Sequence, residues 1–375
     1  MQDSTIEQNT IESKSKKRNL SMDILRIIAM FCIVGLHLIQ AKSNLGLDYI
    51  KDGTIPTFQF IPLSFFNNIF MIGVNLFFLL SGYFKIKFSL SKILSLLFKL
   101  YFYWLISQLI AFAIGIYNPQ SAADFLLTFV SAISKYWFII VYILLCITAP
   151  LLNSFAESLS KSGVKYFIFV SIAFFMLGGF VADMFYPYFG TGEGFLPLWA
   201  WIVYLYGRFI RIYWQDIKIK TGYLYLIWAA ATLLNFAAIQ IIYFVFGNGN
   251  LVFHFYAYNN PLIVLSSISL FIAFGRINLN ASDNSKVSLI AGHTLAVYLL
   301  HSNNPLISPY RSALIDTVNP FWARFLLLFP NMLCLFALGV GVDIVYELLI
   351  GKYITKMFKK LELGIKNRFI KSKEE

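Results

Sequence analysis

Ten long apolar stretches constrain the fold of this chain more than any other feature. A helix needs about 20 mostly apolar residues to cross a bilayer. The ninth of these stretches, near residues 286–302, is interrupted by Gly292 and His293. We predict an all-α fold, a polytopic integral membrane helix bundle with about ten transmembrane helices. The predicted spans lie near residues 20–41, 62–84, 93–116, 136–153, 164–182, 195–212, 222–246, 258–275, 286–302 and 325–350.

The scarcity of charge excludes a soluble globular protein. Charged residues make up 13% of the chain, whereas soluble domains average roughly 25%. The mean hydropathy is +0.71. A surface with so little charge would not keep a monomer of this size in water.

The basic residues are distributed asymmetrically along the predicted spans. With the N-terminus inside, 24 of the 30 Lys and Arg residues lie in cytoplasmic segments and five lie in outer segments. Positive charge accumulates on the cytoplasmic side of membrane proteins. The net charge of +12 therefore indicates topology, with both termini cytoplasmic, and no nucleic-acid partner is expected.

The polar ends of the chain flank one membrane domain. We predict a disordered cytoplasmic N-terminal tail over 1–19, a transmembrane domain over 20–350 and a basic cytoplasmic C-terminal tail over 351–375. The C-terminal tail is amphipathic in places, so we expect it to lie on the anionic inner leaflet of the bilayer. No cleavable signal peptide is expected, because no small-residue cleavage site follows the basic stretch.

The cysteines do not predict a disulfide framework or a metal site. Cys32, Cys146 and Cys334 each lie inside an apolar run, and their number is odd. No metal-type spacing of Cys and His occurs. We expect no metal and no bound cofactor.

The first span carries the strongest set of polar residues. Asp23, Arg26 and His37 lie in LSMDILRIIAMFCIVGLHL. His37 is the eleventh residue after Arg26, so both lie on one helix face, about 16 Å apart along the axis. Ionisable groups inside a bilayer are costly and mark candidate sites. An anionic cytoplasmic ligand could bind Arg26 while an imidazole deep in the membrane acts as a general base.

A purely structural interpretation of this helix stays open. Arg26 could extend its side chain to the inner interface, and His37 could hydrogen-bond a neighbouring helix. Asp23 lies three residues before Arg26 and is expected to pair with it.

Four stretches in order along the chain resemble the motifs of the acyltransferase-3 family. The first-span pattern is an arginine, ten residues and a histidine. The later stretches are FFLLSGYF at Phe77–Phe84, KYWFIIVYILLCITAPLLN at Lys135–Asn153 and HTLAVYLLH at His293–His301. Members of this family are membrane-embedded O-acyltransferases, including those that acetylate bacterial surface polysaccharides. The resemblance covers most of residues 18–350.

The chain departs from parts of the family pattern. It has no glutamate in the span beginning at Trp137, where some members carry one. Lysines stand where many members have arginines after the Ser-Gly motif, and a lysine lacks the bidentate guanidinium fork. Members fused to an SGNH-type hydrolase have several hundred further residues, so we expect a stand-alone member.

The resemblance implies a set of site residues. His37 is the expected catalytic residue. The expected acyl-CoA-binding residues are Arg26, Asp23, Lys85, Lys92 and Lys99, although the lysines could equally be topological charge. The expected motif or acceptor-pocket residues are Ser81, Gly82, Tyr83, Trp137, Tyr298 and His301. Plain packing for Gly82, an interfacial anchor for Trp137 and a supporting contact to His37 for His301 remain open alternatives.

The implied function is transfer of an acyl group, most simply acetyl from acetyl-CoA, to a hydroxyl of a cell-surface polysaccharide or lipid-linked glycan. The expected location is the bacterial plasma membrane, with the bilayer, acyl-CoA and the glycan as partners. The sequence does not indicate an oligomeric state. The alternative is an exporter or flippase for polysaccharide or lipid-linked sugar.

Several further polar residues lie at span ends. His254 is expected to be a solvated residue of an outer loop. Asp183 and Glu193 flank a loop rich in Gly and aromatic residues, which is either a plain connection or a carbohydrate-binding loop. Asp343 and Glu347 lie one turn apart and are expected to pair with basic groups.

Overall fold

The computed structural model describes residues 19–40, 55–186, 192–279, 286–311, 315, 317, 318 and 320–371. The predicted N-terminal tail, apart from Asn19, lies outside these residues. Most of the described residues are helical and no strand occurs among them. The prediction of an all-α membrane bundle is confirmed.

The α-helices are numbered here in chain order. Short π-helical turns follow α7, α10 and α15 over Ser171–Gly178, Ile242–Phe246 and Glu347–Gly351. The helices are α1 Leu20–Ile39, α2 Thr57–Phe70, α3 Ile72–Tyr83, α4 Leu90–Ala113, α5 Ala122–Val130, α6 Trp137–Ser158, α7 Lys161–Val170, α8 Gly179–Phe185, α9 Pro197–Ile212, α10 Thr221–Ile241, α11 Gly249–His254, α12 Pro261–Gly275, α13 Lys286–Gly292, α14 Thr294–His301, α15 Phe321–Tyr346 and α16 Lys352–Lys371.

Seven helical segments of the described chain are long and apolar enough to cross a membrane. Three other predicted spans are shorter: α9 has 16 residues, α12 has 15, and the segment near 286–302 breaks into α13 and α14. The predicted interruption at Gly292 and His293 is confirmed. The total of ten spans stays a prediction. Below, inner and outer denote the ends that the charge bias assigns to the cytoplasm and the exterior.

The helices form a buried centre and a lipid-facing ring. The most apolar windows of α1 and of α2–α3 are 67% and 78% buried, against 22–39% for the other five long segments. Helix α1 packs against α2, α3, α12, α13, α14 and α15. Because α1 lies at the centre, its polar side chains meet protein groups and not lipid.

Close helix packing positions α3 against α9. A side chain at Gly82 would collide with the backbone carbonyl of Tyr204, and one at Gly207 with that of Leu79. The two glycines therefore allow the backbones to approach each other, as small residues do at membrane helix interfaces.

The C-terminal helix α16 packs against α4 at the inner end. The Ser89 hydroxyl and the backbone N–H of Ser91 both donate to the Glu362 carboxylate, each at 3.1 Å. Glu362 thus satisfies one backbone donor in the first turn of α4. The residues predicted as a C-terminal tail form this helix as far as Lys371.

Candidate active site

The inner part of the site begins with Asp23 at the start of α1. The Asn19 side chain caps the helix by accepting from the backbone N–H of Met22. Asp23 is 5% exposed and accepts a 2.7 Å hydrogen bond from the Ser288 hydroxyl of α13. Its other oxygen lies 3.7 Å from the Arg26 guanidinium. Asp23 thus holds Arg26 on the inner face of the bundle.

The outer part of the site is a chain of two imidazoles. Nδ1 of His37 lies 2.9 Å from Nε2 of His301. Nδ1 of His301 lies 2.6 Å from the Val297 carbonyl oxygen, one turn back on α14. A carbonyl only accepts, so Nδ1 of His301 must donate and its Nε2 must accept when that ring is neutral. His37 Nδ1 is then the donor, which leaves the lone pair of His37 Nε2 available.

Accessibility also singles out His37. Residues 32–36 and the two that follow His37 are buried, whereas His37 itself is partly accessible. His301 is 1% exposed. Of the two imidazoles, the one on α1 is therefore the more accessible and the one on α14 is buried behind it. Spacing along the chain alone could not pair them, because 264 residues separate them.

An aromatic wall fixes the outer end of α14. The Tyr298 ring lies 6.2 Å from the His37 ring and packs edge-on against Tyr136 and Phe138. The Tyr136 hydroxyl donates to the Leu299 carbonyl at 2.8 Å. Sequence reasoning missed Tyr136, although it precedes the quoted Trp-Phe pair. Trp137 turns away from His37 and packs on Phe195 and Tyr258.

One cation lies at the outer end of the imidazole pair. Arg311 is within electrostatic range of both His37 and His301, and it donates to the Ser302 carbonyl at 3.0 Å. Asn331 of α15 donates in turn to the Arg311 carbonyl at 2.6 Å. The sequence offered no pattern that connects Arg311 to His37.

The three residues of the Ser-Gly motif lie at the inner end of α3. Gly82 contacts α9 as described above, and the Tyr83 hydroxyl accepts from Arg211 at 3.0 Å. Ser81 is partly exposed beside them. The structure therefore places Ser81, Gly82 and Tyr83 in the α3–α9 interface and does not bring them to His37.

The three candidate lysines occupy different environments. Lys85, with a left-handed φ of 59°, forms an ion pair with Glu157, which also pairs with Arg208. Lys99 lies in an ion-pair cluster described in the next paragraph. Lys92 is exposed on the first turn of α4, and no ion pair of Lys92 occurs within the described part of the chain.

A buried ion-pair cluster joins α4, the α13–α14 break and α15. Asp343 accepts from the Tyr103 hydroxyl at 2.5 Å, from Lys99 at 2.9 Å and from His293 at 2.7 Å. Lys99 also contacts Glu347 at 2.8 Å. The predicted pairing of Asp343 and Glu347 with a basic group is confirmed.

Arg26 and Lys92 both lie within electrostatic range of α6. Tyr142 of α6 lies within this range of Arg26 and hydrogen-bonds Cys146. Cys146, one turn further along α6, lies within range of Lys92. Among the described residues no group of three His, Cys, Asp or Glu side chains could hold a metal ion.

Comparison with known proteins gives one match. A protein family whose description is an acyltransferase domain, Acyl_transf_3, matches residues 19–340, which is most of the chain. No curated protein and no solved structure matches. The matched range includes Asp23, Arg26, His37, His301 and Arg311, whereas Asp343 and Glu347 of the ion-pair cluster lie just beyond it.

Proposed function

The chain belongs to the acyltransferase-3 family of membrane acyltransferases, and from that premise we propose that it transfers an acetyl group from acetyl-CoA to a hydroxyl of a cell-surface or lipid-linked glycan. The observation that carries the proposal is the hydrogen-bonded pair His37–His301, which leaves one accessible imidazole nitrogen for the reaction. The donor, the acceptor and the bacterial plasma membrane as location all belong to this proposal.

Arg26 and Lys92 bind the phosphates of the donor in this proposal. A guanidinium offers two parallel N–H groups to a phosphate, and Asp23 orients the one on Arg26. Arg26 and His37 share one face of α1 and lie about 16 Å apart along it. A donor with its phosphates at the inner end can therefore extend its thioester arm toward His37.

His37 is the general base for the transfer. Nε2 of His37 takes the proton of the acceptor hydroxyl, and that oxygen attacks the thioester carbonyl carbon. The carbon–sulfur bond breaks, and the CoA thiolate leaves and takes up the proton. The products are the acyl ester and free CoA. Direct attack by Nε2, giving an acyl-imidazole that the hydroxyl then cleaves, uses the same lone pair.

His301 is a positioning residue behind His37. Its Nε2 accepts from Nδ1 of His37 and so keeps the reactive nitrogen unprotonated before the transfer. When His37 takes the proton, this hydrogen bond becomes charge-assisted and stronger. Arg311 adds a positive charge at the same end, where the thioester oxygen acquires negative charge.

The test uses membranes with radiolabelled acetyl-CoA and isolated envelope glycan. We expect His37→Ala to reduce label in the glycan to background, while wild type incorporates it. The matched control is Ile28→Ala, because Ile28 lies on the same helix about 200° around the axis from Arg26. All variants are compared at equal amounts of protein in the membranes, and each is checked to be monodisperse after extraction in detergent.

Equal incorporation by wild type and His37→Ala would remove His37 from the reaction. Glycan that crosses the membrane without label, in vesicles containing the wild-type protein, would favour the exporter alternative. Label that depends on His37 supports the transferase.

A further inference from the structure

A second polar site lies at the outer surface, one helical turn beyond His37. The cavity has a volume of about 500 Å³. Gln40 of α1 lines it, and three residues after His37 correspond to about 4.5 Å along the helix. On another side it is lined by Tyr258, which packs on Trp137 and lies within electrostatic range of Tyr298. The aromatic wall around His37 therefore continues into this cavity.

A buried carboxylate fixes one wall of the cavity. Asp183 of α8 is 2% exposed, and it accepts from the backbone N–H of Glu193 at 2.9 Å and from the Asn259 amide at 3.1 Å. The short turn that carries Glu193 is thereby attached to two elements of the bundle. The Asp183 carboxylate therefore joins this turn to Asn259, which lies 76 residues after Asp183 in the sequence.

The backbone of this turn adopts a left-handed conformation at three successive residues. The φ angles are 53° at Gly192, 55° at Glu193 and 88° at Gly194. A non-glycine residue such as Glu193 rarely adopts this conformation, because its Cβ crowds the backbone. A side chain at Gly194 would meet Cβ of Tyr258 at 2.5 Å. The turn therefore lies tightly on Tyr258 and directs the Glu193 side chain to the cavity, where it stays 37% exposed.

His254 joins the turn that carries Glu193 to α8. Nε2 of His254 lies 2.6 Å from the Phe180 carbonyl oxygen and must donate to it. Nδ1 of His254 lies 3.3 Å from a Glu193 carboxylate oxygen. His254 is 5% exposed, so the prediction of a solvated loop histidine is wrong.

The lining defines a class of ligand. It combines carboxylate and amide groups with the rings of Phe195 and Tyr258, and none of its described residues is Lys or Arg. Carboxylates and amides bind hydroxyl groups, and aromatic rings offer flat apolar faces to a sugar ring. The lining holds two carboxyl groups, on Asp183 and Glu193, and one imidazole, on His254, so acidic groups outnumber basic ones. Such a site disfavours uronic acids and phosphorylated sugars.

We infer that this cavity binds a neutral or amino sugar of the glycan acceptor and presents its hydroxyl to His37. The inference rests on the proposed function, because it assigns the acceptor part of the same reaction. It makes Glu193 a substrate-binding residue and Asp183 a positioning residue.

Sugar binding is measured directly on purified protein in detergent, without any acyl donor. The probes are methyl glucoside, glucosamine and glucuronate, and binding is followed by saturation-transfer NMR. We expect wild type to bind methyl glucoside and glucosamine at least about tenfold more tightly than glucuronate. Glu193→Gln should weaken binding of the first two about tenfold. Asp124→Asn is the matched control, because it makes the same change on an exposed outer helix away from the cavity.

A second readout separates this inference from the transferase proposal. Binding of acetyl-CoA to purified wild type without glycan reports on the donor site, and glycan-dependent transfer reports on both sites and should fall in Glu193→Gln. Wild type that binds none of the three sugars, or binds glucuronate best, overturns the inference. So does Glu193→Gln protein with unchanged sugar affinity. Sugar binding with no acyl transfer by wild type overturns the transferase proposal and leaves the cavity assigned.

Discussion

Replacing Lys99 by methionine tests whether this lysine stabilises the fold or binds the acyl donor. Its ammonium group lies 2.9 Å from Asp343 and 2.8 Å from Glu347, and the Asp343 side chain is 2% exposed. Removing one partner of a buried pair costs about 3–5 kcal/mol, because the other charge stays uncompensated. Asp343 keeps its hydrogen bonds from Tyr103 and His293, so we expect the lower end, about 3 kcal/mol.

The assay is thermal unfolding of the purified protein in detergent, followed by the loss of monodisperse protein. At ~2 °C per kcal/mol for a large domain, the melting temperature should fall by about 6 °C. The double variant Lys99→Met/Asp343→Asn should recover most of this loss, because the carboxylate that it leaves without Lys99, on Glu347, is 31% exposed and stays partly solvated. Lys92→Met is the matched control, since Lys92 is exposed, and it should melt at the wild-type temperature.

The same variants separate stability from donor binding. Measured well below the melting temperature, Lys99→Met should keep the wild-type KM for acetyl-CoA. An unchanged melting temperature together with a tenfold higher KM would refute our reasoning and return Lys99 to the donor site.

Three further predictions concern the site and its packing. Arg26→Lys should raise KM for acetyl-CoA about tenfold with little change in kcat, because a lysine loses the bidentate contact; kcat falling with KM unchanged would contradict phosphate binding. His301→Leu should lower kcat, measured from initial transfer rates, about 10²–10⁴-fold. His301→Gln should recover part of the lost kcat, because the glutamine oxygen can accept the hydrogen bond from His37. An equal loss of kcat in both variants would indicate that His301 contributes only to structure. Gly82→Ala should cost about 1–3 kcal/mol in thermal unfolding because the new methyl group meets the Tyr204 carbonyl, whereas Gly222→Ala, where the added atom meets open space, should not.

Hydropathy and charge predicted the architecture because they depend on the bilayer and not on which helices touch. The break before α14 was also predictable, since Gly292 and His293 interrupt an apolar run. The π-helical turns were not, because they depend on the packing of neighbouring helices. The break between α2 and α3 at Met71 was missed for the same reason, since residues 69–74 around it form an apolar run, IFMIGV.

The candidate site was predictable only in part. His37 stood out because an imidazole inside a bilayer is costly, and a supporting contact from His301 was one of the alternatives. The hydrogen bond between His37 and His301 forms only because α1 and α14 lie side by side in the folded protein. His254 was misjudged because its loop appears polar in sequence, whereas Phe180 and Glu193 enclose it in the folded chain. Such contacts arise between distant segments and leave no local pattern.

The central helix α1 is synthesised long before two of its polar partners. Ser288 follows Asp23 by 265 residues, and His301 follows His37 by 264. At about 5–20 residues per second, ribosomes need roughly 13–53 s to make the intervening chain. During that interval the Asp23 carboxylate lacks Ser288 and the His37 imidazole lacks His301, although Asp23 and Arg26 already pair within α1. We therefore expect the insertion machinery or the intervening helices to screen α1 from lipid until α13 and α14 have been made.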